Sequence, residues 1–335
     1  MFALNILDYS PIDEGAAARD ALLQTIELAK LADRLGYRRF WVAEHHKVLS
    51  VAGSSPEMLM MQLAASTERI RIGSGGVMLP HYSSYKVAEN FRMLEALHPD
   101  RIDLGIGRSR SYKDVNQALN ESKGIKVSYE QQIQDLQKYF TDDTESTHRF
   151  RQLVAMPITE TAPEMWLLGT GHGSAAIAAK NGLAYAFAHF ARPAADGADA
   201  VAAYREKFRP SDLLAKPQVA IAVFAIVADT EEEAERLAKA LDLWLLFIES
   251  DTPPPYYPSI ETAQRRGFSR GEREKVAENR KRMIIGDAET VKAEIVRLAE
   301  LYGADEVTVI PNVSGAANRM KMVSLLAVAF SLSPN

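Results

Sequence analysis

LADRLGYRRFWVAE, residues 31–44, places an amphipathic run before Gly36 and a short apolar run after it. Upstream, Leu22, Ile26 and Ala29 recur at helical spacing, so the first run reads as the end of a helix. Gly36 stands where a left-handed cap would stop that helix, and residues 40–43 read as a buried strand. The same order returns in AAKNGLAYAFAHF, residues 178–190, and in LAELYGADEVTVIPN, residues 298–312. Helix-to-strand links this short, repeated along a chain, predict parallel strands joined by helical crossovers.

Working outward, strands are predicted at 4–8, 40–43, 70–77, 102–106, 165–168, 185–188, 219–227 and 306–310. Eight strands suit a single (β/α)8 TIM barrel with insertions, and 335 residues leave room for a core of about 250 plus those insertions. An open, doubly wound sheet would leave the same local pattern. The expectation is one domain over residues 1–335. Two stretches break the rhythm: a polar region at about 109–160, and an insert at about 249–282 containing DTPPPYY and RRGFSRGEREK. Long irregular segments in an α/β chain often act as lids, although a surface excursion without function reads the same. The insert is read as a candidate lid, with its prolines restraining one end and Gly267 and Gly271 allowing movement.

Composition narrows the chemistry. The net charge is −5 and no Lys/Arg block occurs, so neither nucleic acid nor an anionic membrane is an expected partner. The absence of cysteine rules out disulfides, thiolate metal sites and cysteine nucleophiles. Chemistry therefore falls to an organic cofactor or to acid/base side chains. No secretory signal or membrane-length apolar run is visible, so a soluble, cytoplasmic protein is expected.

Polar and small residues gather just after the predicted strands: Asp8 and Ser10, then Glu44, His45 and His46, then Gly107 and Arg108, then Gly169 to Ser174, His189 and Asn312. In a barrel that rim is the catalytic face. GTGHGS, residues 169–174, puts three glycines before a helix start, with Ser174 as the expected N-cap, and so offers free N–H groups to a phosphate. A capped glycine turn that binds nothing would look alike. Arg108 could add a bidentate guanidinium or be an ordinary rim ion pair. Adjacent His45 and His46 point to opposite sides of an extended chain, and without convergent ligands no metal site is expected.

LDYSPI (7–12), LGYRRFWVAEHH (35–46), RIRIGSGGVMLPHYSSYKVAENFRMLEALHPDRIDLGIGRS (69–109) and WLLGTGHGSAAIAAKNGLAYAFAHF (166–190) together resemble the bacterial luciferase-like flavin monooxygenases, in particular their alkanal or luciferase-like subgroup. The resemblance spans most of the chain. It implies FMN as cofactor, delivered reduced by a separate NAD(P)H-dependent flavin reductase, with O2 and a small organic molecule as co-substrates. It implies that His45 is the catalytic acid/base, for which an ordinary pKa near 6.5 would suit. Cofactor contacts are implied at Glu44, His46, Gly75, Gly76, Val77, Arg108, Gly169, Thr170, Gly171, His172, Gly173 and Ser174, with a cis peptide between Gly75 and Gly76. A homodimer is implied, with the helix around 88–97 at its interface. After Arg108 relatives usually carry a Pro-Gly turn, whereas this chain reads SRSYKDVNQ, so the substrate does not carry over. Hydride transfer with deazaflavin F420, or flavin binding without catalysis, are the alternatives.

Overall fold

The computed structural model describes residues 2–109, 111–121, 123–124, 127–191, 195–250 and 253–333. β1 (Ala3–Asp8) leads through α1 (Ala18–Leu35) to β2 (Arg39–Val42), then α2 (Pro56–Ser66) to β3 (Arg71–Met78) and α3 (Ser84–Leu97) to β4 (Ile102–Gly107). Two helices, α4 (Lys113–Leu119) and α5 (Tyr129–Phe140), precede β5 (Glu164–Gly169), α6 (His172–Lys180), β6 (Ala184–Ala188), α7 (Ala195–Lys207) and β7 (Val219–Ala228). α8 (Glu231–Ile248), α9 (Ile260–Arg266) and α10 (Arg270–Arg280) follow, then β8 (Met283–Asp287), α11 (Ala288–Tyr302), β9 (Glu306–Ile310) and α12 (Ala316–Ala329).

Gly36 adopts φ 88° and its N–H returns to the Ala32 and Asp33 carbonyls, which ends α1 and aims the chain into β2. The buried face of α1 is centred on Ala21, Thr25, Leu28, Ala29 and Ala32, with Leu22 and Ile26 on its flank. Small residues at the centre let the helix lie close to the strands, and Thr25 Oγ1 donates to Asp8 Oδ2 at 2.5 Å.

All eight predicted strands form, and all neighbours are parallel in the order β6-β5-β4-β3-β2-β1-β9-β7. Pairing of β7 back onto β6, through Tyr185 opposite Val219, closes the (β/α)8 barrel and removes the open-sheet alternative. β7 is ten residues long: its first half pairs with β9, and its overhang from Phe224 to Ala228 pairs with β8 outside the barrel. β8 (MIIGD) was not predicted; five residues leaning on one neighbour leave little periodicity to read. The irregular readings of 109–160 and 249–282 are corrected as well, since the first contains α4 and α5 and the second α9 and α10. Among the described residues no helix is long and apolar enough to cross a membrane.

The end of the barrel opposite the predicted site is plugged by charge. Arg39, with no solvent exposure, donates from Nε to Glu306 Oε2 at 2.7 Å and from Nη1 to Asp103 Oδ1 at 2.8 Å, while its guanidinium lies 4.9 Å from the Trp166 ring. Asp103 also accepts from Trp41 Nε1 at 2.8 Å and Arg71 Nε at 2.8 Å, and Asn5 Nδ2 donates to Glu306 at 2.7 Å. Burial alone would raise the Asp103 carboxyl, but Arg39 and Arg71 hold it below the usual range. With Arg39 and Asp103 paired, this floor is closed by charge and the opposite end of the barrel is left for chemistry.

Candidate active site

The site rim is built first from three adjacent strand ends. After β2, the Glu44 carboxylate is buried and shared between neighbours: it accepts from the Met78 N–H at 2.8 Å and the Tyr82 hydroxyl at 2.6 Å, and His46 Nε2 lies 2.6 Å away. Burial and the bond to Glu44 raise the Tyr82 phenol far above its ordinary range. His46 is thus turned toward β3, whereas His45 packs edge-on against Tyr9, after β1, at 4.9 Å between ring centres. The two histidines point to opposite sides, as their adjacency predicts.

His45 Nδ1 is shut off from solvent and has no hydrogen-bond partner among the described residues. Burial, with the neighbouring His46, lowers its pKa to about 4, so the imidazole is neutral at neutral pH. This corrects the expectation of an ordinary value near 6.5: the ring can accept a proton but does not stand ready as an imidazolium.

β3 meets β4 with unusual closeness. The Gly75–Gly76 peptide is cis, and the register between the strands shifts between Gly75 and Val77. A Cβ on Gly76 would lie 2.7 Å from the Gly105 carbonyl oxygen, and one on Gly105 only 2.1 Å from that of Ser74. Side chains are therefore excluded here, and backbone is presented to the barrel mouth; Val77 beside it is fully buried.

β4 and β5 are neighbours, so Arg108 and the 169–174 loop leave adjacent strand ends. Arg108 is exposed and makes no hydrogen bond or ion pair among the described residues. Its charge reaches Tyr129 at the start of α5, where it works against the upward push of burial on that phenol. The Tyr129 hydroxyl is buried without a partner, and sequence reasoning missed it because it lies twenty-one positions from Arg108. Thr170, His172 and Gly173 are exposed, and a Cβ on Gly171 or Gly173 would meet open space.

The predicted N-cap is displaced. Gly171, not Ser174, caps α6, and Ser174 Oγ turns inward to donate to the Gly171 carbonyl at 2.8 Å and lie 3.0 Å from the Tyr185 hydroxyl. Gly169 makes room for it, since a Cβ there would sit 1.9 Å from Ser174 Oγ. The Ser174 hydroxyl is thus a strut, while the first-turn N–H groups of α6 remain open to an anion.

A family profile described as luciferase-like monooxygenase matches residues 2–306, spanning the barrel up to the start of β9 and every rim element just described. The chain belongs to the luciferase-like monooxygenase family. It is 46% identical over 333 residues to the uncharacterized protein YwcH of Bacillus subtilis, covering 99% of this chain and 100% of that one. It is 36% identical over 331 residues to the N-acetyl-S-alkylcysteine monooxygenase of the same organism, covering 98% of each. The crystal structure of apo-MsnO8 superposes with a TM-score of 0.90 at 36% identity, covering 100% of this chain and 99% of that one. The oxygenating constituent of 3,6-diketocamphane monooxygenase from Pseudomonas putida, in complex with FMN, shares the fold at TM-score 0.69, covering 100% of this chain and 99% of that one, with 18% identity.

This luciferase-like monooxygenase thus carries its expected site residues on one rim, in two groups. Glu44, His45, His46, Gly75, Gly76 and Val77 stand at the β2 and β3 ends, and Arg108 with Gly169 to Ser174 at the β4 and β5 ends. Among the described residues no cluster of His, Asp or Glu could hold a metal ion. Tyr9 and Tyr82 belong to the same rim and lay inside the quoted motifs, yet only their contacts to His45 and Glu44 single them out.

Proposed function

We propose that this enzyme is the oxygenating component of a two-component FMN-dependent monooxygenase acting on a small organic substrate in the cytoplasm. One observation carries the reading: Arg108, a guanidinium without a partner among the described residues, beside the open N-terminus of α6 on the adjacent strand end. A cation and unused N–H groups form a donor set suited to a phosphate. The residues fit FMN: Arg108 and the 169–174 loop would hold its phosphate, and the side-chain-free backbone at Gly75–Gly76 would accept its ring system.

Reduced FMN, supplied by an NAD(P)H-dependent reductase, would provide the electrons that activate O2. The protein's part is orientation and proton control. Neutral His45 would accept a proton at a ring nitrogen, and Glu44 would fix His46 and the β3 end through Met78. The insert at 249–282 would act as the lid; Tyr257 anchors its first part, its hydroxyl donating to the Asn312 carbonyl at 2.7 Å. A proteolysis rate in this segment that does not change with reduced FMN would remove the lid. Exposed Met58 on α2, with Met93 and Leu97 on α3, offers an apolar surface for a homodimer. A sedimentation mass of one chain at micromolar concentration would reject that assembly.

The 36% identity to the N-acetyl-S-alkylcysteine monooxygenase makes thioether acids of that class the first substrates to try. The deciding experiment supplies reductase, NADH, FMN and O2, and follows oxygen insertion into such thioethers and a wider panel by mass spectrometry. Oxygen-dependent product supports the reading. A purified protein that takes up F420 and ignores FMN, or binds FMN with no turnover of any panel member, would replace it.

A further inference from the structure

Glu249 and Arg282, the two ends of the insert, are ion-paired to each other. Arg282 Nη2 donates to Glu249 Oε1 and, at 2.9 Å, to Asn279 Oδ1, while Nη1 reaches the Phe190 carbonyl at 3.5 Å. Nε has no partner among the described residues, and the side chain keeps 17% exposure. Glu249 is claimed a second time, by Lys275 Nζ at 2.9 Å, so among the described residues one carboxylate is shared by two cations. The neighbouring Arg280 is held separately, by Asp242 and Glu235.

Position gives this charge a use. Phe190 follows β6, and β8, which begins directly after Arg282, pairs with the β7 overhang; Arg282 therefore stands above the β6 and β7 ends of the mouth. Arg108 and α6 occupy the β4 and β5 ends, so the two guanidinium groups serve different parts of the rim. Burial raises the Tyr9 phenol, which packs on His45, and the Arg282 charge works against that rise. Phe190, against Phe224 at 4.9 Å, supplies apolar surface beside the cation.

We propose that Arg282 binds the carboxylate of the substrate through its Nε–H, which has no partner among the described residues, so that this enzyme is selective for small organic acids whose apolar part lies along the mouth toward His45. This rests on the monooxygenase reading for its chemistry, but not for its binding. Glu249 is a positioning residue: it holds Nη2 and turns Nε to the mouth.

Isothermal titration of the full-length, FMN-loaded protein with N-acetyl-S-methylcysteine and with its methyl ester tests it without turnover. The acid is expected to bind at least tenfold more tightly than the ester. Arg282→Gln should weaken the acid by about ten- to hundredfold and leave the ester unchanged, as loss of a charge-assisted bond implies. Arg282→Lys, which keeps the charge, should retain part of the preference; it serves as the reading should the Gln variant not fold by circular dichroism. Failure of the acid to bind, equal binding of acid and ester, or an Arg282→Gln protein that binds the acid like the parent would each overturn the proposal. Arg282-dependent acid binding without turnover would leave the anion site standing and remove the oxygenase reading; turnover with no preference for acids would do the reverse.

Discussion

The Glu44 carboxylate accepts the Met78 backbone N–H at 2.8 Å, tying the end of β2 to the end of β3 just beyond the Gly75–Gly76 peptide. The same carboxylate takes the Tyr82 hydroxyl and faces His46, so three elements of the rim share one buried anion. Glu44→Gln keeps the shape and removes the charge. Hydrogen bonds to a charged group contribute roughly 1.5 to 3 kcal/mol, so a stability loss of about that size is expected in denaturant unfolding. FMN affinity should fall with it. A variant as stable as the parent would mean that the hydrogen bonds of Glu44 add nothing to the fold beyond what an amide supplies.

Arg108 has no internal partner among the described residues to lose. Arg108→Ala should therefore melt like the parent while FMN binding weakens by roughly 1.5 to 3 kcal/mol, the range of a charge-assisted contact. Fluorescence titration of FMN measures this, and an unchanged Kd would move the phosphate elsewhere.

For His45, folding lowers the pKa from an ordinary 6.5 to about 4. Between those values the unfolded chain holds the proton and the folded one does not, so keeping this residue neutral costs the fold nothing above pH 6.5 and destabilises it increasingly as pH falls toward 4. His45→Ala should flatten that part of the stability profile. It should bind FMN and melt near the parent at pH 8, yet lose roughly 10²- to 10⁴-fold in turnover, as removal of a positioned acid/base group does. A large fall in melting temperature with turnover retained would make His45 a packing residue.

Arg39→Met removes the buried cation that Asp103 and Glu306 share in the barrel floor, leaving Asp103 to Arg71 and Glu306 to Arg38 and Asn5. Breaking a buried charge network from one side costs about 3 to 5 kcal/mol, which chemical denaturation should register. Because the floor is opposite the site, FMN affinity per folded molecule should stay constant; a changed Kd would couple the two ends.

How much of this was legible beforehand depends on the range of the interaction that decides it. Gly36 as a left-handed cap, the eight barrel strands, and the polar residues behind them are set by spacing within a dozen residues, and local physics acts on them before any fold exists. The cis bond at Gly75–Gly76 and the site positions came from resemblance, and the folded chain puts those positions on one rim. Ser174 misled because a serine before a helix is a good cap in isolation, whereas here Tyr185 and the space at Gly169 draw its hydroxyl inward.

By itself, then, the sequence determined the alternation of strands and helices, their parallel sense and the glycines that allow close backbone approach. Tertiary structure alone decided closure of β7 onto β6, the placement of β8, the pairing of Glu249 with Arg282 and the depressed pKa of His45. The reason is distance along the chain. Asn5 and Glu306 bond across 301 positions, and no local pattern records such a pair, because its free energy exists only once the intervening barrel has formed around it.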